Sequence, residues 1–310
     1  MPDFKLRPNY YLFNGSILIY AAGLLLQVAW AAAALSLAAA AAIHLATPRT
    51  PRRGDAPPQI GGGLSAPAAP RLQAGRLEVL AYLIIFTLFF FGTTVTIPLI
   101  RPDLKYDELL RAIDARYFFD IGAWVRSVSR PWLTDLITFC YLLYGPLLYS
   151  SIIYFGFFRK EVSLAYFAGL YSVFGLGFIG YLTVPAEGPH FARLAEVMPL
   201  IASGPFHTFA DPLIKGGCTR SDAFPSLHIA VSWYTLIFMY FNTRRLFWLW
   251  LLPVAGLSVA TVYLFYHYQI DLLAGFVVAV ISLALAKMTA AAVRRRGDAL
   301  SGDKPANFRP

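Results

Sequence analysis

Long stretches of this chain carry no charged side chain. Uncharged, mainly apolar runs occupy residues 79–100, 136–158, 162–186, 223–243 and 246–270. A helix of about 20 such residues crosses a hydrocarbon core about 30 Å thick, so these runs predict five crossings. A sixth runs from Leu272 to Val293, broken only by Lys287, whose long stem can snorkel toward the interface beside Arg294, Arg295 and Arg296. The N-terminal run from Pro8 to Pro48 is too long for one upright span. With no Pro, Asn-Gly or Gly-Gly in its middle, it reads as one tilted or protruding helix rather than a hairpin.

The polar segments between the runs set the organisation. Residues 49–76 are rich in Pro, Gly, Ala and Arg, with Gly61, Gly62 and Gly63 in a row, and read as a flexible linker. The expected fold is all-α: a polytopic membrane helical bundle with a six-helix core plus one N-terminal transmembrane helix. Its parts are an N-terminal transmembrane helix (1–48), a cytoplasmic linker (49–76), a catalytic transmembrane domain (77–293) and a cytoplasmic tail (294–310). Basic residues in the linker, at Arg159 and Lys160, at Arg244 and Arg245, and at Arg294 to Arg296 mark the cytoplasmic ends. Residues 101–131, residues 187–222 and the short connection near His267 then share the opposite, outer face. A seven-span count leaves Lys5 and Arg7 outside, against the same rule, and a hairpin near the start would remove that conflict.

In residues 103–130, Asp107, Glu108, Arg111, Asp114 and Arg116 alternate with Leu109, Leu110, Ile113, Phe118 and Ile121 at helical spacing. An interfacial amphipathic helix with no catalytic role is expected there.

Composition fits this picture: 58% of residues are apolar and 14% charged, with a mean hydropathy of +0.58, outside the range of ordinary water-soluble domains. The formal charge of +9 clusters at span ends and so points to anionic lipid head groups rather than nucleic acid. Cys140 falls within a span and Cys218 in a polar loop, so no disulfide between them is expected. A cleaved signal peptide is not separable from the long first run. Nothing in the chain fixes an oligomeric state.

Histidine is scarce, yet His190, His228 and His267 fall on the outer face, with His207 close by. His267 and Asp271 are four apart at the start of the last span, so a helix carries both on one face and the carboxylate can hold one ring nitrogen. The other nitrogen is then free as nucleophile or base. A lone pair of this kind is more often a capped or neutralised histidine. Here it is joined by Ser226 and His228 within Asp222-Ala223-Phe224-Pro225-Ser226-Leu227-His228. Pro225 suits the first turn of a helix, with Ser221 or Asp222 as its cap. The resulting N-terminus is a ready phosphate site, Ser226 adds a hydroxyl, and His228 can give or take a proton.

Phe224-Pro225-Ser226-Leu227-His228, followed by His267-Tyr268-xx-Asp271-Leu-xx-Gly275, resembles the type 2 phosphatidic acid phosphatase superfamily. The nearest branch is similar to inositol phosphorylceramide synthase, with Pro-Ser-Leu-His where lipid phosphatases have Pro-Ser-Gly-His. The resemblance spans roughly residues 77–293. It implies a six-helix membrane core, His267 as a nucleophile forming a phosphohistidine, Asp271 as its orienting partner, His228 as acid and base, and Ser226 as a phosphate ligand. It implies no metal and no cofactor.

Two departures matter. The phosphatases' K-xxxxxx-R-P element is missing, and Ala260-Thr261 stands where they place Ser-Arg. Both favour the transferase branch and leave the phosphate short of fixed positive charge. Phosphoryl transfer relies on such charge, so Arg220, Lys215, Arg193 and His190, in the outer loop, are the candidates to supply it, although loop charges are usually only solvated.

The expected activity is transfer of a phosphoinositol-like head group from a phospholipid to a lipid alcohol. The expected location is a bacterial plasma membrane with the site on the outer face. A lipid phosphate or polyprenyl diphosphate phosphatase would use the same residues with water as acceptor. More distantly, His228, His267 and Asp271 suffice as residue types for a proton relay or a three-ligand zinc site in a transporter.

Overall fold

The computed structural model describes residues 105–216, 218 and 220–301. The N-terminal helix, the linker and the 79–100 run lie outside the described residues. No strand occurs among those described, and the architecture is a helical membrane bundle. In chain order the helices are α1 (Asp107–Tyr117), α2 (Ile121–Val128), α3 (Pro131–Leu142), α4 (Tyr144–Ile153) with a π-helical turn at Tyr154–Phe158, α5 (Lys160–Thr183), the short α6 (Pro189–Ala192) and α7 (Leu194–Val197), α8 (Pro205–Gly216), α9 (Leu227–Asn242), α10 (Arg244–Tyr263) and α11 (Gln269–Ser301).

Among the described residues, four segments are long and apolar enough to cross a membrane: Pro131–Phe158, Lys160–Thr183, Arg244–Tyr263 and Gln269–Ala291. The apolar α9, from the 223–243 run, has 16 residues and is shorter than these four. It packs between α5, α10 and α11, with Tyr234 and Val231 wholly buried.

Apolar side chains gain little by leaving lipid for protein, so packing and hydrogen bonds hold such a bundle. Both are dense around Tyr166 of α5, where α4, the π-helical turn and α9 meet it. Tyr234 donates to Tyr166 O at 2.7 Å, the Tyr166 hydroxyl meets Ser151 Oγ at 2.7 Å, and Phe155 stacks on Tyr166. The starts of α9 and α11 touch at Gly275, where a Cβ would run into the carbonyl oxygen of Ser226.

Three boundaries differ from the sequence expectation. The amphipathic segment forms two helices, because Asp120 accepts from Ala123 N at 3.0 Å and caps α2. The 223–243 helix begins later, at Leu227, with Ser226 rather than Ser221 or Asp222 as its N-cap, accepting from Ile229 N. Pro225 therefore precedes the cap instead of occupying the first turn, and the residue before a proline disfavours helix. The 246–270 run stops being helical at Tyr263. Its last apolar residues make a tight turn in which Phe265 has φ of +60° and His267 N donates to Thr261 O at 3.0 Å.

Candidate active site

That turn delivers His267. Its ring Nδ1 lies 2.8 Å from Ala223 O and 3.5 Å from Asp271 Oδ2. A carbonyl oxygen can only accept, so Nδ1 carries the hydrogen and the Nε2 of the neutral ring keeps its lone pair. Nε2 in turn lies 3.5 Å from Nδ1 of His228, in the first turn of α9. The rings have centroids 5.7 Å apart, so an imidazole from the turn before α11 and one from the first turn of α9 meet at one end of the bundle.

The closer acceptor for Nδ1 is thus a main-chain carbonyl, with Asp271 as a nearby charge. Asp271 is wholly buried, its Oδ2 accepts from Tyr268 N at 2.8 Å, and its Oδ1 has no hydrogen-bond partner among the described residues. Ser226 N donates to Asp271 O at 3.1 Å, which ties the α9 cap to the first turn of α11. His228 is set between Tyr141 and Tyr144, with ring centroids at 4.8 Å and 4.5 Å.

Both loops that carry these residues are clamped by α1. Asp114 accepts from Gln269 N at 2.7 Å and Ile270 N at 3.0 Å. Asp107 accepts from Glu187 N at 3.0 Å, Gly188 N at 2.9 Å and the Tyr268 hydroxyl at 3.1 Å. Gly188, at φ +86°, lets the chain pass against Tyr266 O, where a Cβ would clash. Ala223 N donates to Ala186 O at 3.1 Å, which sets the strand of chain whose carbonyl holds His267.

The sequence-predicted charges take separate places. Lys215 pairs with Asp211 at 2.5 Å, and Asp211 also accepts from the Tyr266 hydroxyl at 3.0 Å. His190 is fully buried, stacked on Tyr266 with Nε2 3.9 Å from Asp211. Burial, then the Lys215 charge, pushes its pKa below the usual histidine value. Burial likewise lowers His207, whose Nδ1 meets Thr138 Oγ1 at 2.9 Å. The Arg220 guanidinium lies over the Phe191 ring, 5.3 Å from its centroid, while its carbonyl accepts from Lys105. Arg193 pairs with Glu196 and lines a cavity of about 540 Å³ that also reaches His267. Ser226 is buried and spends its oxygen on the α9 cap.

Sequence reasoning missed Ala223, Asp107 and Asp114. The two acids had a readable signal: seven residues apart on an amphipathic helix, they share one face. Among the described residues no group of three or more His, Cys, Asp or Glu side chains is arranged to hold a metal.

A family model described as the PAP2 superfamily matches residues 108–285. No curated protein and no solved structure matches the chain.

Proposed function

The chain belongs to the PAP2 superfamily, a family of membrane phosphatases and phosphotransferases acting on lipids, and from that premise we propose that it transfers a phosphorylated head group between lipids through His267. In the first step His267 Nε2 attacks phosphorus, the bond to the diacylglycerol oxygen breaks, and His228 delivers a proton to that oxygen. The head group is then held as a phosphohistidine. In the second step His228 takes the proton of a lipid alcohol, the new P–O bond forms and the N–P bond breaks. A histidine suits both steps because its unperturbed pKa is near 6.5.

The observation that carries this reading is the tied Nδ1 of His267, which leaves Nε2 as the only ring nitrogen able to attack and aims it at His228. At 3.5 Å the two nitrogens are too close for phosphorus to enter between them, so the two rings must separate when a substrate phosphorus reaches Nε2. The inositol phosphorylceramide synthase branch is favoured by Pro225-Ser226-Leu227-His228, by His267-Tyr268-xx-Asp271, and by Ala260-Thr261 in place of Ser-Arg.

The test uses purified full-length protein and phosphatidylinositol labelled separately in phosphorus and in inositol. Trapping both labels on His267, with loss of both in His267→Ala, is the expected result. His228→Ala should slow turnover by about 10²–10⁴-fold, the usual contribution of a general acid or base. Phosphorus label alone on the protein, with inorganic phosphate released, would move the assignment to the phosphatase reading. Turnover that a chelator stops would point to a metal instead.

A further inference from the structure

Residues 187–222 read from sequence as an outer loop, yet the helix within it, α8, carries no charge on its outward face. Pro205, Thr208, Phe209, Pro212, Leu213 and Gly216 are exposed there, with Phe209 at 70% and Leu213 at 67%. These two are four residues apart and so stand on one side of the helix. The one polar side chain of the face, Thr208, returns its hydroxyl to Gly204 O at 2.8 Å. The opposite face buries His207, Ala210, Asp211 and Ile214. An outward surface this apolar calls for a partner.

The seat of α8 against α3 identifies that partner. His207 N donates to Asp135 Oδ1 at 2.8 Å, the Phe206 ring meets Phe139 at 6.4 Å, and Asp211 holds Tyr266, whose ring lies 5.0 Å from Tyr141. α8 therefore lies alongside α3 between Asp135 and Tyr141. α3 opens the crossing segment Pro131–Phe158, 28 residues long. Such a segment rises about 42 Å against a hydrocarbon core about 30 Å thick, so about 6 Å stands out at each end and the core begins near Asp135. α8 is thus level with the leaflet on the His267 side. Its 12 residues rise about 18 Å, enough to enter one leaflet and too short to cross both. Trp132, Leu136 and Phe139 of α3 are exposed on the same crossing segment, and the Phe139–Phe206 contact joins that surface to α8. Asp211 and Lys215, the charged residues of α8, pair with each other, the form in which charge is tolerated at membrane depth.

We infer that α8 is seated in that leaflet rather than in water, with Phe209 and Leu213 resting among lipid acyl chains. The turn that presents His267 then has a direct link to the membrane, because the side of α8 turned away from the lipid holds the Tyr266 hydroxyl through Asp211.

Full-length protein with Cys140 and Cys218 replaced by serine, labelled with an environment-sensitive fluorophore at Phe209→Cys or Leu213→Cys and placed in phosphatidylcholine nanodiscs, tests this. Two quenchers are compared: bromine carried on the lipid acyl chains, and iodide in the water. Leu252→Cys, at a position 79% exposed on the crossing helix α10, supplies the lipid reference, and Arg116→Cys, at an exposed position of α1, the aqueous one. Both α8 positions are expected to be quenched by brominated lipid to within about twofold of Leu252→Cys, and by iodide at least about fivefold less than Arg116→Cys, as for side chains below the head groups. Iodide quenching equal to that at Arg116→Cys, with no response to brominated lipid, puts the face in water and overturns the inference. Silence toward both quenchers means that protein covers the face and overturns it equally. The two positions keep the test decisive if one variant does not fold. Neither readout depends on turnover, so the transfer reading stands or falls by its own labelling experiment.

Discussion

At the scale of single residues, the arrangement around His267 separates two jobs that one carboxylate often performs together. The Ala223 carbonyl fixes the ring hydrogen on Nδ1, and Asp271 stands 3.5 Å away as a buried charge. Where a carboxylate alone fixes the tautomer, replacing it by the amide costs about 10⁴-fold in rate. Here Asp271→Asn should cost only about 10–100-fold in kcat, the usual effect of losing an outer partner, and single-turnover labelling of His267 would measure it; a loss near 10⁴-fold would mean that Asp271 sets the tautomer. His190 yields a pH prediction. Burial holds its folded-state pKa below the ordinary 6.5, so the unfolded chain takes up a proton before the folded protein does. Stability from this group is complete above pH 6.5 and declines as the pH falls below it. Thermal unfolding in detergent should show a shallower acid-side loss for His190→Gln than for the natural protein. The His267–Asp271 pair could be read from sequence because histidine and aspartate four apart leave a side-chain signature. Ala223 could not, since every residue has a carbonyl and only the fold decides which one faces a ring.

At the scale of elements, α1 works as a clamp. Two of its carboxylates, Asp107 and Asp114, satisfy four main-chain N–H groups from the 185–188 loop and the start of α11. Leaving a buried donor without an acceptor costs about 1–3 kcal/mol. Asp114→Ala, which orphans two of them, is expected to lower the unfolding temperature and to reduce kcat, whereas Glu108→Ala on the exposed face should do neither. Differential scanning fluorimetry with a turnover assay checks both. Charge-free runs made the crossing helices legible, because the bilayer admits few other patterns. Their ends were harder to read: the apolar Leu264, Phe265 and Tyr266 look like span but form the turn that presents His267, and Ser226 displaced Ser221 and Asp222 as the cap. The break before Asp120 was likewise hidden in a continuous amphipathic pattern.

At the scale of the whole molecule, the segments read from sequence as sharing one membrane face do meet: α1 touches the loop before α6 through Tyr106 N and Pro185 O at 2.9 Å and the start of α11 through Asp114. The proposal that this end faces outward in a bacterial plasma membrane has a direct check. In a background with Cys140 and Cys218 replaced by serine, Arg116→Cys should react with an impermeant maleimide on intact cells, and Arg245→Cys only after the cells are opened; the opposite pattern would invert the orientation. The α1 clamp has one more consequence, for biosynthesis. Asp114 is translated 155 residues before Gln269, whose amide it receives, and His228 precedes His267 by 39. The residues that hold this end of the bundle are therefore made first and wait for their partners, so the arrangement around His267 can close only when the last helix has left the ribosome and packed against α1 and α9.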